Sequence, residues 1–291
     1  MPELSLATEP VACALCGGTS DALLCWNDAL QIVRCRACGI VYVNPQPTES
    51  ALKQHYSAPN LIEQDGWSSY FQHQPEQIRA LWQRRFADVR LWKDGPGTRL
   101  LDVGCGYGDF LCEAQRAGWR ACGFEFSPAV AKVAREKYGL SVEVGEIFEI
   151  GAAENSFDVV TMWHVLEHMR NPLAVLRRVH GFLAPGGVLV IEVPNLNFLV
   201  RKSYRYPLSV TLHLYHFSPA TLSALVGKAG FQVRACRPGH TGYLYPSQAK
   251  VYAKKCIYGV TRMADRLLGV NVGDAIRLYA AKASKDDGAS A

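Results

Sequence analysis

From residue 99 onward the apolar positions alternate between two rhythms. Short, nearly continuous apolar runs predict strands at 99–103, 118–125, 141–144, 157–162 and 187–193. Between them, apolar residues recurring near every 3.6 positions predict helices over 109–117, 128–138 and 172–183. Strands alternating with helices of this length imply a parallel sheet with crossover helices, an α/β doubly wound core. Runs at 231–237 and 275–283 are expected to complete the sheet. Upstream, Ile78, Leu81, Trp82, Phe86, Val89 and Leu91 share a helical stripe over 75–93, which Asp94-Gly95-Pro96-Gly97 ends. Residues 1–50 read instead as loops and short strands, closed by Pro45 and Pro47. The expected organisation is a small module at 1–50, a helical linker at 51–96, a core at 97–283 and a disordered tail at 284–291. Insertions at about 196–217 and 238–273 would cover the core's binding face.

Composition narrows the class. With 49% hydrophobic and 20% charged residues among 291, wholesale disorder is excluded. No uncharged apolar run approaches the roughly 20 residues needed to span a bilayer. The first ten residues carry two glutamates and no Lys or Arg, unlike a secretory signal, so the expected location is cytoplasmic. Charge is unevenly placed. The net +5 divides into −3 over residues 1–50, −2 over 51–195 and +12 over 196–285. A basic final third points to an anionic partner.

Ten cysteines need a reason in a reducing compartment. Cys13-x2-Cys16 and Cys35-x2-Cys38, eighteen residues apart, have the spacing of a closed, four-thiolate structural Zn2+ site. The other six show no paired spacing and read as small core fillers.

The second constellation follows the strand at 99–103. Gly104-x-Gly106-x-Gly108 lets the backbone turn tightly and approach a ligand closely. Asp102, two residues before the first glycine, would repel a pyrophosphate and suits a ligand with a cationic amino group. Glu125 ends the next strand, where a carboxylate can bond a ribose diol. Glu146 follows the third.

These residues carry a resemblance. From Gly97 to Lys282 the chain resembles class I S-adenosylmethionine-dependent methyltransferases, whose glycine motif matches Leu101 to Gly108 and whose pre-strand turn matches Leu183-Ala184-Pro185-Gly186-Gly187. Within them it is similar to a subgroup that joins an N-terminal four-cysteine zinc ribbon to the core, through Cys38 to Pro45. That subgroup is similar to ubiquinone-type O-methyltransferases and to methyltransferases of sugars, polysaccharides and natural products. The resemblance implies a Rossmann-like fold, S-adenosyl-L-methionine as cofactor, and a cofactor site of Asp102, Gly104, Cys105, Gly106, Glu125, Phe126, Glu146, Ile147, Trp163 and His164. Glu146 stands where many members have aspartate. The absence of Asn-Pro-Pro-Tyr after the fourth strand argues against amino methylation of bases.

His164-x-x-Glu167-His168 also fits an inverted zinc-protease pattern, but its place after a complete glycine loop favours a helix start beside the cofactor. His213 and His216 precede Ser218-Pro219, the N-cap and N1 of a helix running to 229. Imidazole titrates near neutrality and suits removal of a hydroxyl proton. His216, His213 and His168 are therefore the candidate bases, with His216 first. Arg201, Lys202 and Arg205 would contact an anionic small-molecule acceptor, and the basic amphipathic helix at 248–268 reads first as packing on the core with a solvated basic back, ahead of an anion-binding lid or a membrane-surface helix. The competing functions are an RNA methyltransferase, disfavoured because the ribbon is acidic, and a non-catalytic zinc-ribbon binding protein.

Overall fold

The computed structural model describes residues 6–27, 30–57, 75–197, 212–239, 260, 263 and 273–283. The expected helix at 248–268 therefore falls almost wholly outside the described residues, as do Arg201, Lys202, Arg205 and the tail from 284.

The ribbon comprises β1 (Thr8–Glu9), β2 (Asp21–Asn27), β3 (Leu30–Cys35), β4 (Val41–Val43) and β5 (Gln46–Pro47). Two helices follow, α1 (Glu49–Tyr56), N-capped by the Thr48 hydroxyl, and α2 (Pro75–Arg90). The core then runs β6 (Arg99–Val103), α3 (Asp109–Arg116), β7 (Arg120–Glu125), α4 (Pro128–Tyr138), β8 (Val142–Val144) and β9 (Phe157–Trp163). After a 3-10 turn at Leu166–His168 come α5 (Pro172–Phe182), β10 (Leu183–Pro194), β11 (Tyr215–His216), α6 (Pro219–Lys228), β12 (Gln232–Gly239) and β13 (Ala275–Ala281).

Seven strands form the central sheet in the order β12-β13-β10-β9-β6-β7-β8. The pairings from β8 through β10 are parallel, and β13 alone runs against its neighbours. The α/β expectation holds because strands buried on both faces need continuous apolar runs. Leu100, Val159 and Val190 pack under one helical layer; Leu101, Val160 and Leu189 pack under the other. Strand order reverses between β6 and β9, and ligands of such sheets bind in the crevice beyond the carboxyl ends there. No helix among the described residues is long and apolar enough to cross a membrane.

The ribbon is not set apart from the core. A second sheet, ordered β11-β4-β3-β2, joins three ribbon strands to a strand far along the sequence, with Tyr42 opposite Tyr215. Tyr42 of β4 and Tyr215 of β11 stack with ring centroids 5.9 Å apart. Cys13, Leu15, Ile40 and Tyr42 belong to the same buried cluster as Phe217 and Leu225.

Candidate active site

The loop after β6 turns exactly where glycine is required. Gly104, Gly106 and Gly108 have φ of 68°, 55° and 83°. A Cβ on Gly104 would lie 2.4 Å from Val165, whereas one on Gly106 would meet nothing within 4 Å, so the second glycine faces open space. Gly104 N–H donates to the Phe124 carbonyl (2.7 Å), tying the loop to β7.

Two carboxylates flank this loop. Asp102 is 1% exposed and accepts from the Thr161 hydroxyl at 2.6 Å; burial pushes its carboxyl up to about 7. Glu125 accepts from the backbone N–H of Gly106 and of Ser127, each at 2.9 Å, and burial raises its carboxyl despite those bonds. Cys105 is buried behind the loop, and its thiol is raised by desolvation. Phe126 meets Tyr56 of α1 edge to face at 5.8 Å. Glu146 is half-buried and pairs with Lys53 of α1, beside the buried Ile147.

Beyond β9 lies a charged network that the sequence reading found only in part. His164 has φ of 57° and precedes the 3-10 turn instead of starting a longer helix, so His164 and His168 do not share the helical face that the zinc-protease pattern needs. Its Nδ1 lies 3.4 Å from Glu167 and its Nε2 3.3 Å from Glu192. Burial alone would depress this imidazole, but the two carboxylates raise it to about 9. Glu192, fully buried on β10, also pairs with Arg85 of α2 and Arg277 of β13. Burial opposes its ionisation, yet Arg277 and Arg85 hold it well below the usual carboxylate range. Arg85 lies over the rings of Trp82 (4.5 Å) and Trp163 (5.0 Å). Arg85 Nε, Trp82 Nε1 and Trp163 Nε1 are buried donors with no acceptor among the described residues.

The candidate bases differ in setting. His168 Nδ1 lies 3.0 Å from the Leu212 carbonyl and 3.2 Å from the Tyr56 hydroxyl. A carbonyl only accepts, so Nδ1 carries the proton and Nε2 keeps its lone pair. Burial lowers this histidine, which leaves it neutral at neutral pH. His213 packs 4.7 Å from His168, and Glu167, His168 and His213 each bring one ligand-capable atom within 4.8 Å of the others. His216 is only 4% exposed, because β11 places it opposite Val41 inside the ribbon sheet. Tyr56, Arg85, Glu192 and Arg277 were missed as site residues. Only Arg85 left a trace in sequence, as a charge beside the apolar stripe of a helix.

A family model described as a methyltransferase domain matches residues 70–235. The chain belongs to that family. A ubiquinone biosynthesis O-methyltransferase of Xanthomonas campestris pv. campestris is 38% identical over 108 residues, which are 34% of this chain and 44% of that protein. Its counterpart in Xanthomonas euvesicatoria pv. vesicatoria is 32% identical over 157 residues, 47% of this chain and 64% of the relative. The chain thus spans less than two thirds of these relatives. Among solved structures, a Thermotoga maritima S-adenosylmethionine-dependent methyltransferase superposes with a TM-score of 0.56 at 19% identity, covering 78% of this chain and 100% of the other. A phosphoethanolamine N-methyltransferase of Haemonchus contortus gives 0.54 at 18% identity over 84% of this chain and 63% of the other. At such identities these two likenesses show the fold.

In the ribbon, the four cysteines converge. Cys13 Sγ lies 3.4 Å from Cys38 Sγ and Cys16 Sγ 3.5 Å from Cys35 Sγ, and all four sulfurs lie within 4.8 Å of one another. Zn–S bonds of about 2.3 Å in a tetrahedron place sulfurs about 3.8 Å apart, so the cluster fits that ion. Gly17 and Gly39 close the two knuckles by donating to the Cys13 and Cys35 carbonyls.

Proposed function

We propose that the chain transfers a methyl group from S-adenosyl-L-methionine to a hydroxyl oxygen of an anionic small molecule. The observation that carries this reading is the loop of Gly104 to Gly108 between the buried Asp102 and the half-buried Glu125, at the point where strand order reverses. Asp102 faces the ammonium of the methionine end, Glu125 the ribose diol, and Glu146 with Ile147 the adenine side. The unsatisfied donors of Arg85, Trp82 and Trp163 suit the methionine carboxylate. When bound, the cofactor supplies an electrophilic methyl on a sulfonium, so the protein's task is alignment and removal of one proton.

The acceptor's hydroxyl proton would be taken by a histidine of this chain. His168 fits best, because its Nδ1 proton is held by the Leu212 carbonyl and its Nε2 keeps a lone pair to accept. His164 is already protonated, and His216 is enclosed in the ribbon sheet. His213 stands beside His168 as the second choice. The basic final third, fourteen Lys and Arg against two acids over 196–285, supports an anionic acceptor such as a nucleotide-linked sugar or a phosphorylated or lipid-linked intermediate. The four ribbon thiolates would hold a structural Zn2+ with no open position for chemistry.

Calorimetry with S-adenosylhomocysteine tests the cofactor site: wild type binds, and Glu125→Ala loses most of the affinity. Equal binding by the two proteins refutes the assignment. Incubating a metabolite extract with labelled cofactor and enzyme, followed by mass spectrometry, identifies the acceptor. His168→Ala should lower its turnover about 10²–10⁴-fold with cofactor affinity unchanged.

A further inference from the structure

The segment at 212–217 carries His213 and braces His168, yet its only strand is the two-residue β11. So short a strand needs partners to hold it. One side is bonded to the core turn, where Leu214 N–H donates to the Glu167 carbonyl at 2.8 Å. The other side is bonded to the ribbon. Tyr215 and His216 pair with Tyr42 and Val41, and Val43 N–H donates to the Leu214 carbonyl at 2.9 Å. Strand β4 is itself only three residues long. It is aligned by β3 through Ile32, Val33 and Arg34, and β3 ends in the cysteine knuckle that starts at Cys35. A continuous ladder of backbone bonds therefore runs from the cysteine cluster to Leu214, two residues along the chain from the Leu212 carbonyl on which His168 rests.

The cofactor half has separate supports. Its loop is tied to β7 by Gly104 and Gly106, and Asp102 is tied to Thr161 of β9. It meets the residues after the ribbon through Lys53–Glu146 and the Tyr56–Phe126 ring contact, both from α1.

We infer that the metal-clamped ribbon is a positioning element of the acceptor site: an ion held by Cys13, Cys16, Cys35 and Cys38 sets the placement of His168 and His213 without setting cofactor affinity. This rests on the proposed acceptor side. The geometry explains why a closed site, unable to do chemistry, lies on the chain that also carries the methyl-transfer fold. The ribbon supplies the strand on which the acceptor wall is built.

The full chain is compared loaded with Zn2+, stripped by a chelator, and reloaded. Three readouts are taken: S-adenosylhomocysteine affinity, amide exchange at Val43 and Leu214, and the downfield imidazole N–H signal of His168 donated to Leu212. Stripping should speed exchange at both amides at least about tenfold. It should also erase the imidazole signal and change the dissociation constant by less than about twofold. Reloading restores both. Val43→Pro removes the donor to Leu214 while keeping all four cysteines, and should reproduce the loss with Zn2+ still bound. An unchanged imidazole signal in either preparation overturns the inference. So does loss of S-adenosylhomocysteine binding on stripping, which would make the metal a support of the whole chain. Failure of the loaded wild type to bind S-adenosylhomocysteine would instead refute the cofactor reading.

Discussion

Asp102 shows how burying one carboxyl makes the fold depend on pH. A carboxyl that titrates near 7 when folded and near 4 in an unfolded chain binds protons more readily in the native state. Its stabilising contribution is complete below about pH 4 and is lost as pH rises through 7. A cationic ligand favours the ionised form, so binding should recover part of that loss. Asp102→Asn should therefore gain thermal stability relative to wild type as pH rises from 5 to 8, read from unfolding midpoints. S-adenosylhomocysteine affinity of wild type should rise about tenfold from pH 6 to pH 8, and that of the variant should stay flat. A wild-type affinity independent of pH would show that Asp102 does not face the ammonium. His164 has the same sign of pH dependence, with a range that reaches about pH 9, because it is held protonated between two carboxylates.

At the scale of elements, the site depends on how closely β7 approaches the glycine loop and α3. A Cβ on Gly123 would lie 2.5 Å from Cys105 Sγ and 2.7 Å from Leu111 Cδ1, so this strand has room for hydrogen only. Gly123→Ala must push the loop away from β7, and overpacking of this kind costs about 1–3 kcal/mol. The expected outcome is a lower urea midpoint together with weakened S-adenosylhomocysteine binding. Normal binding at reduced stability would show that the strain relaxes elsewhere. The chain's punctuation explains why these elements were readable: Pro128 and Pro172 sit at N1 of their helices, and Gly139 takes the left-handed conformation after α4. The expectation of a strand at 118–125 overran by two residues, because Gly118 and Trp119 belong to the turn that leaves α3.

For the whole molecule, the ribbon and the core share one buried surface. Deleting residues 1–48 would uncover Tyr215, whose ring stacks on Tyr42, and would leave β11 without its partner strand. We expect that truncated chain to bind a hydrophobic dye and to aggregate, where an independent module would leave a well-folded remainder. A truncated chain that is monomeric and unfolds cooperatively at the wild-type temperature would contradict this. The charge asymmetry also belongs to this scale. The proposed anionic acceptor rests on the basic excess over residues 196–285, because the buried Arg85 and Arg277 are already paired with Glu192.

Local signals determined what the sequence could show by itself. Apolar runs bounded by Gly and Pro placed the strands and helices, because those residues act on the backbone where they stand. The acid–glycine–acid spacing and the two Cys-x2-Cys pairs could be read because the residues that converge come from positions a few apart or from consecutive strands. Tertiary structure decided everything that depends on long-range pairing. Glu192 meets Arg85 across 107 residues and Arg277 across 85, and no local pattern records either contact. Tyr56 reaches His168 across 112 residues. The same applies to β11: two residues are too short for a periodic signal, and only their bonding to β4 makes them a strand. That pairing encloses His216, the first choice on sequence, and it is why His168 replaces it in the proposed mechanism.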